Sequence, residues 1–294
     1  MLATAKACPR RFLFEYILNR VPATPSFHLT AGSAYARGHQ VFRELYYGEG
    51  APKEDALTAG LVALTKTYGP DDPPDPTNPK TYRRTAAALV GYYHEWPPET
   101  DFIRPHTINS QPCVEFSFAI PFDGTGGRPL LTHPTTGEPL IYAGRADSIM
   151  TFGNGLFIFD DKTTSTMGPK WALNWRLRSQ FTGYCWAARE HGYPVEGAII
   201  RGVSIQKTQI KYQQAITYRP AWLIDSWLDS TAETVLRIIH YWRAGVWPAD
   251  YDSACTSYGS CAYLDACSTP EPLSYLSSTI FTDRTWSPIA LEAE

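Results

Sequence analysis

The chain has 294 residues, 44% of them hydrophobic, and its 26 basic and 29 acidic side chains leave a net charge of −3. That length supports a large core in one compact α/β unit. No apolar run approaches the roughly 20 residues of a membrane span, and the charge balance rules out a generally basic surface of the kind that binds nucleic acid unselectively. In chain order, residues 1–100 read as a helical part. The run Phe12 to Leu18, interrupted by Glu15 and preceded by Arg10-Arg11, reads as a helix and not as a signal peptide. Residues 71–79, acidic and rich in proline, predict an exposed loop. Val114 to Phe118 alternates as a strand, and Gly124 to Gly127 and Thr132 to Pro139 mark turns. Two strands follow, over Ala143 to Phe152 and Leu156 to Thr163, then a helix over Trp171 to His191 stopped by Gly192. A strand over Val195 to Gln206 and a helix over Ala221 to Ala244 come next. The tail, 268–294, has no periodicity and is expected to drape over the surface.

The two central strands flank Gly153-Asn154-Gly155, and Asn-Gly is a strong hairpin signal because both turn positions need positive φ. A turn on Asn154-Gly155 pairs Gly153 with Leu156. Asp147 then lies opposite Lys162, and Asp160 lies opposite Ile149, one diagonal step from Asp147. Side chains alternate with period two, so Asp147, Asp160 and Lys162 converge on one face while Asp161 points to the other. Hard oxygen ligands beside an ammonium suit a divalent cation and a water to be oriented or deprotonated. Met150, Phe152, Phe157 and Phe159 occupy the other face, as in a sheet covered on both sides. Taken alone, Asp160-x-Lys162 could equally be a solvated strand end.

Gln180 and Tyr184 are spaced i, i+4 and project from one helical face, where an amide and a hydroxyl can bind a phosphate oxygen or a carboxylate. Between the acids and this pair lie Lys170, Trp175, Arg176 and Arg178, a basic run with aromatic neighbours suited to phosphates and unpaired bases. Lys80 with Arg83-Arg84 is a second basic group.

Six cysteines divide by context. Cys255, Cys261 and Cys267 crowd a short Ser/Gly/Tyr-rich loop, whereas Cys8 opens Cys8-Pro9-Arg10-Arg11. Four thiolates suit a [4Fe-4S] cluster or a structural Zn²⁺, and disulfides are not expected without a secretory segment. Cys113 and Cys185 fall in a strand and a helix and read as small core residues.

Together these residues resemble the PD-(D/E)XK nuclease superfamily, and within it the RecB-like branch that carries an iron-sulfur cluster. The resemblance rests on Asp147, Asp160, Lys162, Gln180 and Tyr184 with the cysteine arrangement, from Cys8 to Cys267. It implies an αβα restriction-endonuclease-like core over about 110–206, with a mixed central sheet, a helical elaboration and ends joined by a metal cluster, in a single domain over 1–294 whose segment 207–267 closes the cluster. It implies cleavage of DNA, as an exonuclease or end-processing enzyme of recombination or replication, with a helicase or recombination protein as partner. It makes Asp147 and Asp160 the ligands of Mg²⁺ or Mn²⁺, assisted by a backbone carbonyl of 160–162, and Lys162 the residue acting on water. Cys8, Cys255, Cys261 and Cys267 become the cluster ligands. The branch also has Gly-x-x-x-His near its N-terminus; here Gly32 leads to Ala36, and His39 stands three residues later as a candidate ligand. Glu115 is a further candidate acid. The location expected is cytoplasmic, or the host cytoplasm for a phage-encoded chain. Two other classes share these features: a non-catalytic DNA-binding or assembly subunit on the same fold, and a four-cysteine zinc protein.

Overall fold

A computed structural model describes residues 1–24, 27–70, 77–122, 128–256 and 260–284. The expected loop at 71–76, the turn at 124–127 and the tail from 285 onward lie outside the described residues. The chain divides into two compact units, one of Met1–Pro25, Ala119–Ala143 and Asp225–Glu294, the other of Ser26–Phe118 and Gly144–Ile224.

The second unit begins with helices α1 (Phe27–Arg43), α2 (Lys53–Tyr68) and α3 (Tyr82–Glu95). Tyr35, Phe42, Leu64, Leu89 and Tyr92 form their shared core with Val203 and Ile205 of the sheet. Two glycines set the closeness of α1 and α2: a Cβ on Gly60 would stand 2.7 Å from the Gly38 carbonyl oxygen. The sheet has six strands, β1 (Arg104–Pro105), β2 (Val114–Pro121), β3 (Ile141–Phe152), β4 (Gly155–Thr164), β5 (Val195–Ile205) and β6 (Ile210–Tyr218). Their order is β1-β3-β4-β5-β6, with β2 also paired to β3. β4 and β5 are parallel, and the β1–β3, β3–β4 and β5–β6 pairs are antiparallel. A parallel pair needs a crossover, which helix α4 (Ser179–Glu190) provides. It buries Phe181, Cys185 and Ala188, and the Cys185 thiol donates to the Gly197 carbonyl at 3.2 Å. The sheet is mixed, and the near-continuous burial of β5 reflects cover on both faces.

The hairpin departs from the expected register. Phe152 pairs with Gly155 and Ile149 with Ile158, so the turn is Gly153-Asn154 and every partner moves by two residues. The cause lies in the turn: Gly153 takes φ +58° and Asn154 stays out of the positive-φ region. Glycine first in a two-residue loop is the type II′ arrangement, as compatible with strand twist as the type I′ turn that Asn-Gly favours. A two-residue slip preserves the faces. Asp147, Asp160 and Lys162 remain on one side, but Asp147 is no longer opposite Lys162, nor Asp160 opposite Ile149.

The helix expected from Trp171 begins later. Trp171–Trp175 is a 3₁₀ turn, and α4 starts at Ser179. Trp171 packs on Gly202, where a Cβ would come within 2.2 Å of the indole, and this anchorage keeps the segment out of the helix.

In the first unit, Arg20–Pro22 pairs antiparallel with Phe281–Asp283. The Arg20 guanidinium donates to the Leu276 carbonyl at 2.9 and 2.6 Å and to Asp283 at 2.8 Å. Phe14, Tyr263, Ala266, Leu276 and Phe281 pack there as one cluster. Residues 268–284 are therefore built into a core through the helix Pro272–Leu276 and this strand, which corrects the expectation of a draped tail for that part. Phe12 to Leu18 is helical as read, with a π-helical turn at Leu13–Ile17. The helix Ala221–Ala244 has the predicted bounds, and Ala232, Val235 and Ile239 from it pack with Leu131. The expected turn at Thr132 to Pro139 is closed by a bridge between those two residues.

Candidate active site

The β3–β4 ladder ends at Ser148 and Phe159, and the acids lie just beyond. Where backbone pairing stops, the Asp147 Oδ2 accepts from the Asp161 amide at 2.8 Å. Asp160 is 1% exposed and forms an ion pair with Lys162 Nζ. Burial pushes the Asp160 carboxyl up to about 8, with the Asp147 charge adding to the effect and Lys162 opposing it. Asp147 is also raised, first by burial. Burial works against the Lys162 ammonium, but Asp160 and Asp147 outweigh it and hold its pKa above the ordinary lysine value. The structure thus brings together two buried carboxyls whose pKa values are raised and a lysine ion-paired to one of them.

Gln180 and Tyr184 meet on α4 as their spacing predicts. They bond to each other, Gln180 Nε2 donating to the Tyr184 hydroxyl at 3.1 Å. The Tyr184 ring packs edge-on against Phe118 and close to Gly144, where a Cβ would stand 3.3 Å from it. Burial raises the Tyr184 hydroxyl pKa, and the Asp160 and Asp147 charges add to that. The tyrosine is thus within electrostatic reach of the acids.

On the opposite face, Asp161 makes a 2.5 Å ion pair with Arg43 in which both side chains are at most 5% exposed. Arg43 lies over the Phe159 ring. Beside it, Arg201 makes a bidentate pair with Asp101 at 2.6 and 2.9 Å and donates to Gln214 at 2.8 Å. Asp161 stays below the usual carboxylate range because Arg43 and His39 outweigh its burial. Sequence reasoning missed this network. One signal was available: Arg201 interrupts the otherwise uncharged stretch Gly197–Ile205, and a charge there calls for a buried partner.

His39 belongs to this opposite face. It is 1% exposed, its Nδ1 is 2.9 Å from the Tyr93 hydroxyl, and Tyr35 and Tyr92 meet its ring edge-on. Burial lowers its pKa to about 3. Glu115, at φ +61°, pairs with Arg145 at 3.1 Å. Neither residue joins Asp147 and Asp160 in a ready-made ligand set: among the described residues no three His, Cys, Asp or Glu side chains are grouped to hold a metal ion. Of the basic run, Lys170, Arg176 and Arg178 are exposed. Trp175 is half-buried against Trp171 and Phe181, so its ring is engaged in packing and not displayed for stacking as expected.

In the first unit, Cys8, Cys255, Cys261 and Cys267 line one pocket with Arg11, Asp250 and Tyr263. All four are free thiols. Cys8 Sγ accepts from the Arg11 amide at 3.4 Å. Desolvation and the neighbouring Cys261 and Cys8 raise the Cys255 pKa, and burial raises that of Cys267. Cys113 and Cys185 are buried elsewhere, as core residues.

A model of the PD-(D/E)XK nuclease superfamily matches residues 1–268. The chain belongs to that superfamily. Among solved structures it is similar to SSO0001, at 15% identity over 68% of this chain and 73% of that one, with a TM-score of 0.28. It is also similar to a protein of Eubacterium rectale named a "putative exonuclease", at 11% identity over 83% of this chain and 78% of that one, with a TM-score of 0.43. No curated protein sequence matches it.

A PD-(D/E)XK chain implies a divalent cation, and the donor set here suits one. Asp147 and Asp160 offer hard oxygens, and Asp160 is buried with its ionised form disfavoured until a cation compensates it. The four thiols suit a second, softer centre, since a bound metal drives off the protons that their mutual proximity retains. Neither place is pre-closed among the described residues.

Proposed function

We propose that this superfamily member is a divalent-metal-dependent DNA nuclease, an exonuclease or DNA-end-processing enzyme of the RecB-like iron-sulfur branch. The observation that carries the reading is the convergence of Asp147, Asp160 and Lys162 on one sheet face of a superfamily member. Asp147 and Asp160 would hold the cation, and Gln180 with Tyr184 backs the site from α4. A bound Mg²⁺ or Mn²⁺ supplies a Lewis acid for the scissile phosphate and lowers the pKa of a bound water. Lys162 retains its proton beside two carboxylates, which favours orienting the attacking water and countering phosphate charge over abstracting a proton. Exposed Lys170, Arg176 and Arg178 offer contacts to the DNA backbone.

In the same reading, Cys8, Cys255, Cys261 and Cys267 hold a [4Fe-4S] cluster or, in the alternative, Zn²⁺, as a structural fastening. The partners are DNA and a helicase or recombination protein, and the setting is cytoplasmic. No helix among the described residues is long and apolar enough to cross a membrane. The test is digestion of end-labelled single- and double-stranded DNA with Mg²⁺, Mn²⁺ or chelator. Metal-dependent loss of label supports the reading; intact DNA under every metal condition, with binding retained, assigns the chain to a non-catalytic DNA-binding subunit. Iron and sulfide analysis of anaerobically purified protein separates the cluster from zinc.

A further inference from the structure

Lys80 belongs with Arg83 and Arg84 to the second basic group of the sequence, and the structure buries it, at 4% exposure. Its backbone is pinned on both sides: the Tyr68 hydroxyl donates to the Lys80 carbonyl at 2.7 Å, and the Lys80 amide donates to Asn78 Oδ1 at 3.0 Å. The ammonium donates to the Thr163 hydroxyl at 3.0 Å. No carboxylate pairs with it among the described residues.

A buried ammonium whose partner among the described residues is one hydroxyl is an expensive arrangement. It has three donors, and the usual remedy for a buried charge is an opposite one. Burial alone lowers its pKa to about 8, so it is still largely charged near neutrality. The contrast with Arg43 and Arg201 is direct, since each of those buried cations has its carboxylate.

Thr163 follows Lys162 near the carboxyl end of β4, which runs parallel to β5, and ligands of α/β sheets gather beyond carboxyl ends of parallel strands. Thr163 is half-buried and His28 is exposed. The Lys80–Thr163 hydrogen bond is only partly buried, so the ammonium lies near the surface.

We propose that Lys80, seated on Thr163, is a phosphate contact for the backbone of the nucleic-acid substrate, beside the catalytic strand and apart from the two metal-binding acids. The inference rests on the nuclease reading for the identity of the anion. It makes Lys80 a binding residue whose burial is offset when a phosphodiester brings negative charge to it.

The experiment measures binding of a fluorescein-labelled single-stranded oligonucleotide to the full chain in EDTA, across a salt series, with thermal stability recorded in parallel. Lys80→Met should weaken binding about tenfold and make the log affinity against log salt shallower by about one ion's worth. Its melting temperature should hold or rise, because a lone buried charge is gone. Lys80→Gln serves as a second neutral variant, and Arg83→Met, on the exposed start of helix α3, should lose less. Unchanged affinity and salt slope in both neutral variants overturn the proposal. So does a loss of binding that only accompanies a fall in melting temperature, since that marks a structural lysine. The two readings fail separately. A wild type that binds the oligonucleotide through Lys80 but hydrolyses none sinks the nuclease and leaves the phosphate seat. A wild type that hydrolyses DNA with KM unaltered by Lys80→Met sinks the seat alone.

Discussion

Arg43 and Asp161 form a buried ion pair behind the strand whose other face carries Asp160 and Lys162. Neighbours in sequence, Asp160 and Asp161 have opposite electrostatic fates. One carboxyl is raised to about 8 on the face it shares with Asp147 and Lys162, and the other is held low by Arg43 against its burial.

Asp161→Ala should therefore act on stability more than on chemistry. It strands the Arg43 guanidinium, at a cost of about 3–5 kcal/mol for breaking a buried pair. Activity per folded molecule should stay within a few-fold of wild type. Urea denaturation measures the first and an active-site-normalised digestion rate the second. The double variant Arg43→Met/Asp161→Leu should recover most of the lost stability; a double variant as weak as the single one would show that the pair is not the cause.

Asp160→Asn and Lys162→Met should each reduce cleavage by about 10² or more, the scale for groups that handle transition-state charge. Asp160→Asn should preserve or raise the melting temperature, because it removes a buried carboxyl whose ionisation is disfavoured. Near-full activity in either variant would remove the assignment.

His39 supplies a pH signature. Its pKa, lowered to about 3 by burial, lies under the unfolded value of about 6.5. Between those values the unfolded chain binds a proton that the folded chain refuses. Stability from this residue is complete above about pH 6.5 and is lost on acidification toward 3. Urea midpoints across that range should fall less steeply in His39→Gln than in wild type. The Mg²⁺ concentration for half-maximal cleavage should not change, given the residue's place among Tyr35, Tyr92 and Tyr93; a marked increase would make His39 a metal ligand.

The hairpin turn is testable by a pair of glycine variants. Gly153→Ala places a side chain at φ +58° and should cost about 1 kcal/mol. Gly155→Ala should cost less, since its backbone is outside the positive-φ region and its Cβ would meet the movable end of Glu196 at 2.7 Å and, less closely, the Phe157 ring at 3.1 Å. The reverse order of melting temperatures would restore the Asn154-Gly155 turn.

With a metal held at Cys8, Cys255, Cys261 and Cys267 as proposed, loss of any one thiol should release it and bleach the visible absorbance of a cluster, with a fall in stability because binding energy there would be folding energy. Cys113→Ser and Cys185→Ser should keep the colour. The unit that holds the four thiols also has its own fastening, the Arg20–Pro22 and Phe281–Asp283 pairing, so secondary structure should survive in the bleached variants; global unfolding would show that the metal is the main clamp.

From the amino-acid sequence alone, the period-two alternation placed Asp147, Asp160 and Lys162 on one face and Asp161 on the other. That placement survived a two-residue error in register because parity, and not the identity of the facing residue, decides the face of a strand. The i, i+4 spacing of Gln180 and Tyr184 and the bounds of the helix Ala221–Ala244 were equally local, and equally legible. Tertiary structure alone decided which turn residue takes positive φ, since Gly153 and Gly155 compete on nearly equal local terms. It also decided that Trp171 leaves the helix for the space above Gly202, and that the strand Phe281–Asp283 finds Arg20–Pro22. Above all it chose the partners of buried charges. Arg43 meets Asp161 and Arg201 meets Asp101, each across about a hundred residues of chain, while Lys80 meets the Thr163 hydroxyl. Such pairings depend on where distant segments bring their side chains, and no periodicity within a segment encodes that.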